Sequence, residues 1–364
     1  MPVSPLPARP SLDHLKHQAK DVLRDHAAGS RVAAQRLREF HPRYLEQSDR
    51  EIFAAKLSLA DALLAIARQH GFRSWARIKR HILAPGLADR LDLPHHQRIE
   101  SPKFRRAVEL IDAGEERLLA ELLEQHPELV HQRVELEGAN WFGNPSLLEF
   151  VAENPVRHGK LPDNILAITS IILDAKPDQA SRDATLVLVA TGSVVHQQGV
   201  QLDMIELLCK HGASPDSALH QAALHEELDA LRTLIRLGGT VDLPVAAALG
   251  LSEQFDALLG AADPQARHLA FALAAQFGHV AELSRLLEAG EDPNRYNPVG
   301  GHSHATALHQ AVGHGHQEVV RLLIAHGARV DIKDVMWGAT PAGWARHTGQ
   351  SELEQLLRSV ENAP

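Results

Sequence analysis

Residues 218–242, ALHQAALHEELDALRTLIRLGGTVD, align without a gap to residues 307–331, ALHQAVGHGHQEVVRLLIAHGARVD. The opening Ala-Leu-His-Gln-Ala is identical and the closing Gly and Asp keep register. A repeated unit of this length constrains the fold strongly. One such unit cannot bury its own apolar face, so neighbours must stack on a shared core. In the second copy Thr306 is placed to cap a short first helix. Val319, Val320, Leu322 and Leu323 follow at helical spacing, and Gly327 ends the second helix before an Ala-Arg-Val-Asp turn. Thr340-Pro341 opens the next unit 34 positions after Thr306.

The run Thr306-Ala307-Leu308-His309-Gln310-Ala311, continued by Gly315-His316 and Val319-Val320, resembles the ankyrin-repeat signature T-P-L-H-x-A. Further copies read Ala270 to Asn294, with Gly278-His279 and Leu286-Leu287, and Thr185 to Asp216. Weaker ones run from Phe104 to Val130, Ser146 to Asp178 and Asp242 to Asp263, and Ala339 to Val360 reads as a C-terminal cap. The resemblance implies an all-α fold: an ankyrin-repeat α-solenoid of about eight units over residues 103–361, with a separate small helical bundle before it. Aromatic residues at 4%, beside abundant Ala and Leu, agree with close-packed helices rather than strands.

Four segments exceed the repeat length: 131–145, 155–164, 192–202 and 294–304. By resemblance to ankyrin topology the first and last are finger loops along the concave edge, and the middle two lie between paired helices on the opposite edge. Long loops in a packed array tend to carry function, so the two fingers are the first candidates for ligand contact.

Residues 1–10 are expected to be disordered, 11–83 to form the N-terminal helical domain and 84–102 a breaker-rich linker with Pro85-Gly86 and Pro94. Four helices are expected at the head: Ser11 to Ala28, Arg31 to Phe40, Asp49 to His70 and Trp75 to Leu83, with Ser48 and Glu51 forming a capping box. The segment from Leu59 to Trp75 resembles a helical module that precedes ankyrin repeats in many bacterial proteins, which implies a bacterial origin and no particular activity. Phe72 and Trp75 are read as locking the turn between two helices. Arg73, Arg77, Lys79 and Arg80 on the last helix fit a helix-turn-helix only loosely.

Charge is uneven. Residues 1–100 hold 17 Lys/Arg against 11 Asp/Glu, and the remainder 20 against 35. So acidic a body repels phosphate backbones, which leaves nucleic acid conceivable only at the head. The N-terminus lacks an apolar signal region and no run is long enough to span a membrane. The one cysteine, Cys209, excludes an internal disulfide, and a cytoplasmic setting is expected.

No phosphate-binding glycine loop, Cys-x-x-Cys, Gly-x-Ser-x-Gly or His-Glu-x-x-His occurs. No catalytic residue, cofactor or metal is therefore assigned, and enzymatic activity is left open with the motif record against it. Histidine is abundant at 24, and His302, His304, His309, His314 and His316 fall within one short stretch. The resemblance gives His309, His220, His316 and His279 structural roles. His302 and His304 stand apart on a finger, where a third ligand would complete a zinc site; contact with an anion or polar ligand is the readier use. The ligand-binding candidates are Trp141, Phe142, Glu149, Asn154, His302, His304 and His309. The main expectation is a module that binds a protein or peptide partner along an acidic concave face. The alternatives are a small-molecule or catalytic site between the fingers 131–145 and 294–304, and nucleic-acid binding by the basic head.

Overall fold

In the computed structural model, which describes residues 4–7, 9–138 and 140–361, the described residues form helices and turns with no β-strand beyond two isolated bridges. The chain is all-α. Part of the expected N-terminal disorder, at residues 1–3 and 8, lies outside the described residues. Two compact units emerge. Among the described residues, one gathers 11–69 with 241–361, the other 70–240 with the short segment before residue 11.

In the first unit the helices Leu12–Ala27, Arg31–Phe40, Asp49–Ala54 and Leu59–Gln69 come from the head. The expected single helix from Asp49 to His70 is thus two. Ser48 and Glu51 make the anticipated capping box, but Ser58 and Asp61 make a second: the Ser58 N–H donates to the Asp61 carboxylate (2.9 Å) and the Asp61 N–H to Ser58 Oγ (3.1 Å). Two reciprocal caps ten residues apart start two helices. The repeats of this unit supply four helix pairs: Leu243–Leu249 with Ser252–Leu259, Pro264–Phe277 with Val280–Glu288, Ala307–Gly313 with Gln317–Ala325, and Pro341–His347 with Ser351–Glu361. One contiguous core runs through them from Leu243 to Leu357 and is built of Ala and Leu with Phe255 and Phe271. Small residues on the first helices let neighbouring pairs approach closely.

The Gly-His positions explain how one repeat fastens the next. His316 Nε2 donates to the Gln276 carbonyl (2.8 Å), and His279 Nε2 to the Ala248 carbonyl (3.2 Å). Gly278 ends its helix at φ +78°, and a Cβ there would meet His316 Nδ1 at 2.6 Å. Gly278→Ala therefore combines left-handed strain with loss of the inter-repeat hydrogen bond. The expected cost is about 3 kcal/mol in urea denaturation, with Gly290→Ala, whose Cβ would meet nothing within 4 Å, losing less.

The second unit contains the helices Trp75–Leu83, Pro102–Ala113, Glu116–Gln125, Ile165–Asp174, Gln179–Ala190, Ser193–Gln197, Gln201–Lys210, Leu219–Leu224 and Leu228–Arg236. Residues 84–102 are more ordered than their breakers suggest: they hold the 3-10 turns Leu87–Asp89 and His95–Arg98 and bury Ala88, Asp89, His96, Arg98 and Ile99. Phe72 is buried, as the turn-locking reading expects, and Trp75 is partly buried. In the unit beginning at Ser146 the first helix shrinks to the 3-10 turn Leu148–Ala152, ended by Glu153 at φ 48°.

Candidate functional site

Each finger is a loop closed at its base by one isolated bridge. Segment 294–304 is closed by a bridge between Tyr296 and Thr306 and by the Asn297 N–H donating to the Ala305 carbonyl (2.8 Å). Its tip holds His302 at φ 58°. The helix Arg31–Phe40 meets this finger: Gln35 Nε2 donates to the Ser303 carbonyl (2.6 Å), and the Ser303 hydroxyl bonds the Glu39 carboxylate. Burial pushes Glu39 up to about 7. A cleft of about 590 Å³ opens beside this contact. Arg31, Arg38 and Arg295 face it, but so do Glu46, Asp49 and Asp292, so its wall selects neither sign of charge.

The next finger turns on Asp334. Its buried carboxylate accepts from the N–H groups of Met336 (2.9 Å), Trp337 (2.6 Å) and Ala339 (3.0 Å), and from Trp344 Nε1 (3.0 Å). The turn is thereby fixed with Trp337 at its tip, 69% exposed. Trp337 stands edge-on to His304 (centroids 5.4 Å apart) and 5.9 Å from Trp344. His304 is itself buried, its carbonyl accepting from the Val335 N–H (2.8 Å). Trp344 also touches His309 (5.3 Å), so His304, His309 and the two tryptophans form one aromatic group. His302 lies 6.2 Å from His304.

His309 does what the resemblance implies. Its Nδ1 accepts from the Thr306 N–H (3.3 Å) and hydroxyl (2.8 Å), and its Nε2 donates to the Ala339 carbonyl (3.2 Å). Burial lowers His304 and His309 to about 4 each. Glu149 performs the same capping duty in the second unit, accepting from the Ser146 N–H and hydroxyl (2.9 Å each) and from Arg133 (3.1 Å). Burial raises its pKa. Phe142 is buried against Phe150 (5.3 Å) and His95 (5.6 Å), while Trp141, 49% exposed, touches only the edge of this cluster through Phe142 (5.8 Å). Asn154 donates to the Leu188 carbonyl (2.9 Å) and to Thr191 (3.2 Å). The seven candidates thus fall into two sets, three in the first unit and four in the second. Trp337, Trp344 and Asp334 escaped sequence reasoning; a tryptophan pair around an Asp-Val-Met-Trp-Gly turn was the available signal.

The finger 131–145 is occupied by the head's last helix and the segment after it. Arg77 pairs with Glu137 (2.9 Å) and Asp89 (3.1 Å), Arg80 with Asp89 (2.6 Å) and Arg73 with Glu135 (2.8 Å). The Gly138 N–H donates to the Gly71 carbonyl (3.1 Å), and Arg98 to the Glu137 carbonyl (2.7 Å). The three arginines a DNA-reading helix would turn outward spend their charge on carboxylates of their own unit. No helix among the described residues is long and apolar enough to cross a membrane.

Comparison with known proteins agrees with the repeat geometry. Residues 243–334 match the model for ankyrin repeats, in three copies. Similar proteins include the potassium channel GORK of Arabidopsis thaliana, 38% identical over 81 residues, covering 22% of this chain and 9% of that protein. The probable E3 ubiquitin-protein ligase XBOS33 of Oryza sativa subsp. japonica is 38% identical over 93 residues, covering 25% of this chain and 17% of that protein. The potassium channel AKT1 of Oryza sativa subsp. indica is 36% identical over 81 residues, 22% and 8% of the two chains. The chain spans less than a fifth of these relatives, so the likeness is one of repeats. Residues 243–334 are three ankyrin repeats, a class of module that generally serves protein–protein interaction.

Proposed function

We propose that the chain binds a protein or peptide partner through the fingers of the repeats in its first unit, with Trp337 as the anchor. The observation that carries this reading is an indole 69% exposed on a turn pinned by four hydrogen bonds to Asp334. Large aromatic side chains held rigid and open to solvent are where interface energy concentrates, because little conformational freedom is lost when they are covered. His304 and Trp344 give the indole an aromatic base. The helix pairs beyond 243–334 support extending the array to about eight units over residues 103–361. A reducing, cytoplasmic setting and a bacterial origin remain part of this reading. Burial pushes Cys209 up to about 11, in keeping with a packing role for that thiol.

The test is affinity purification from the native host with wild type and Trp337→Ala side by side. A partner held by the wild type should bind Trp337→Ala about 30-fold more weakly, the loss of a 2 kcal/mol anchor, while the melting temperature stays the same. Equal retention by both proteins would reject Trp337 as the anchor and the finger face with it. The charge-balanced cleft beside Gln35 gives a small-molecule site there no comparable support.

A further inference from the structure

The expanded segment 155–164 is wound around a carboxylate. Glu153, only 1% exposed, accepts from the N–H groups of Arg157 (2.7 Å), His158 and Gly159 (3.1 Å). Arg157 is equally buried and reaches across to the helix Pro102–Ala113, where it grips both oxygens of Asp112 (2.7 and 2.9 Å). The result is that His158 is delivered to Asp112, with Nε2 3.1 Å from Oδ2. From the 3-10 turn His95–Arg98, the buried His96 brings a second imidazole, its centroid 4.5 Å from that of His158. His96 Nδ1 is buried with no hydrogen-bond partner among the described residues. One ligand atom from each of His96, Asp112 and His158 lies within 4.8 Å of the other two, and among the described residues no other such trio of histidine, cysteine or carboxylate groups occurs.

We propose that His96, Asp112 and His158 bind a divalent transition-metal ion of the zinc type. Two imidazoles and one carboxylate are the donor set of first-row transition metals; calcium and magnesium prefer more oxygen ligands. Zinc ligands at about 2.0–2.2 Å from the ion stand roughly 3.4 Å apart in a tetrahedron. The Asp112–His158 pair is already within that separation, and His158, 35% exposed, has room to move as the buried His96 is drawn in from within 4.8 Å. The surroundings supply what orients metal ligands: Arg157 locks Asp112 from behind, and the Glu153 ring of N–H bonds fixes the backbone of His158. Two carboxylates against one guanidinium leave a net negative charge for the ion to neutralise. Three protein ligands leave a coordination position open, and a cleft of about 620 Å³ lined by Asp112, His158, Lys160 and Asn164 adjoins the site. The histidine stretch 302–316, which first suggested metal, contributes no such trio.

The experiment is a zinc titration of chelator-stripped full-length chain, read by competition with a chromophoric chelator, on four proteins. These are wild type, His158→Ala, His158→Gln and the double variant His302→Ala/His304→Ala. Expected is one Zn²⁺ per chain, at a Kd of about 1 µM or tighter, on wild type and on the 302/304 variant alike. Both His158 variants should bind it at least about 100-fold more weakly. His158→Gln can still donate to Asp112, so its melting temperature without zinc should match the wild type and exclude misfolding as the cause. Equal zinc stoichiometry and affinity in wild type and His158→Gln would overturn the proposal, as would a wild type that binds no zinc at 100 µM.

Discussion

Lowering the pH from 6 to 5 is expected to cost the first unit about 3 kcal/mol of stability. The groups with the largest shifts are His268, His304 and His309, and His41, which burial also lowers, acts in the same direction. Burial holds His268 at about 3 and His304 and His309 at about 4, against 6.5 in an unfolded chain. Each therefore contributes stability that is fully present above 6.5 and lost as pH falls toward its folded value, because the unfolded chain takes up the proton first. Glu39 works in the opposite sense. Its folded value of about 7 exceeds the ordinary 4.5, so the folded state holds the extra proton between those values and gains as pH falls. Three histidines less one carboxylate leave a net two protons taken up on unfolding in this window, at about 1.4 kcal/mol per proton per pH unit. Urea denaturation at half-unit intervals from pH 7 to 4.5 measures it. A midpoint that stays level between 6 and 5 would mean that these imidazoles are solvated or already charged in the folded protein.

Arg157→Met is expected to be the most damaging single substitution, at about 3–5 kcal/mol. The methionine fills most of the volume and keeps contact with Phe150, over whose ring the guanidinium now lies at 5.2 Å. What it removes is the one cation between Asp112 and Glu153, which leaves two carboxylates facing each other with Glu153 at 1% exposure. Adding Glu153→Gln should return part of the loss, since the neutral amide no longer repels Asp112, and a double-mutant cycle reads the coupling directly. A loss under 1 kcal/mol for Arg157→Met would show that water reaches these carboxylates.

How much of this was legible in the sequence depends on the range over which each feature is specified. Thr306 with His309, the Gly-His pairs and the glycine after each second helix lie within a few residues of what they act on. A reader of the chain can therefore place the repeats and assign His309 its cap. Glu149 caps Ser146 three residues before it as His309 caps Thr306, by the same local logic. Ser58 and Asp61 are equally local, but apolar residues at helical spacing, Ile52, Phe53, Leu57, Ala60, Leu64 and Ala67, continue past them, so two helices read as one. The remaining features are tertiary. Asp334 needs Trp344 ten residues away to show its purpose. His96, Asp112 and His158 come from a turn, a helix and a loop that no periodicity links. That 155–164 is longer than the repeat requires was visible; that Glu153 and Arg157 coil it toward Asp112 was not.

Gln35 and Ser303 are separated by 268 positions and yet share a hydrogen bond inside one compact unit. A stacked array can ordinarily nucleate anywhere and grow by neighbour contacts, with little loop-closure entropy to overcome. Here the helices Leu12–Ala27 to Leu59–Gln69 are made well before the finger around Ser303 that receives them. During synthesis they wait with apolar faces uncovered, and their docking closes a chain loop that contains residues 70–240. Folding of this chain should therefore end on a slow, topologically long-range step, and chaperone dependence should concentrate in the interval before the C-terminal repeats are complete.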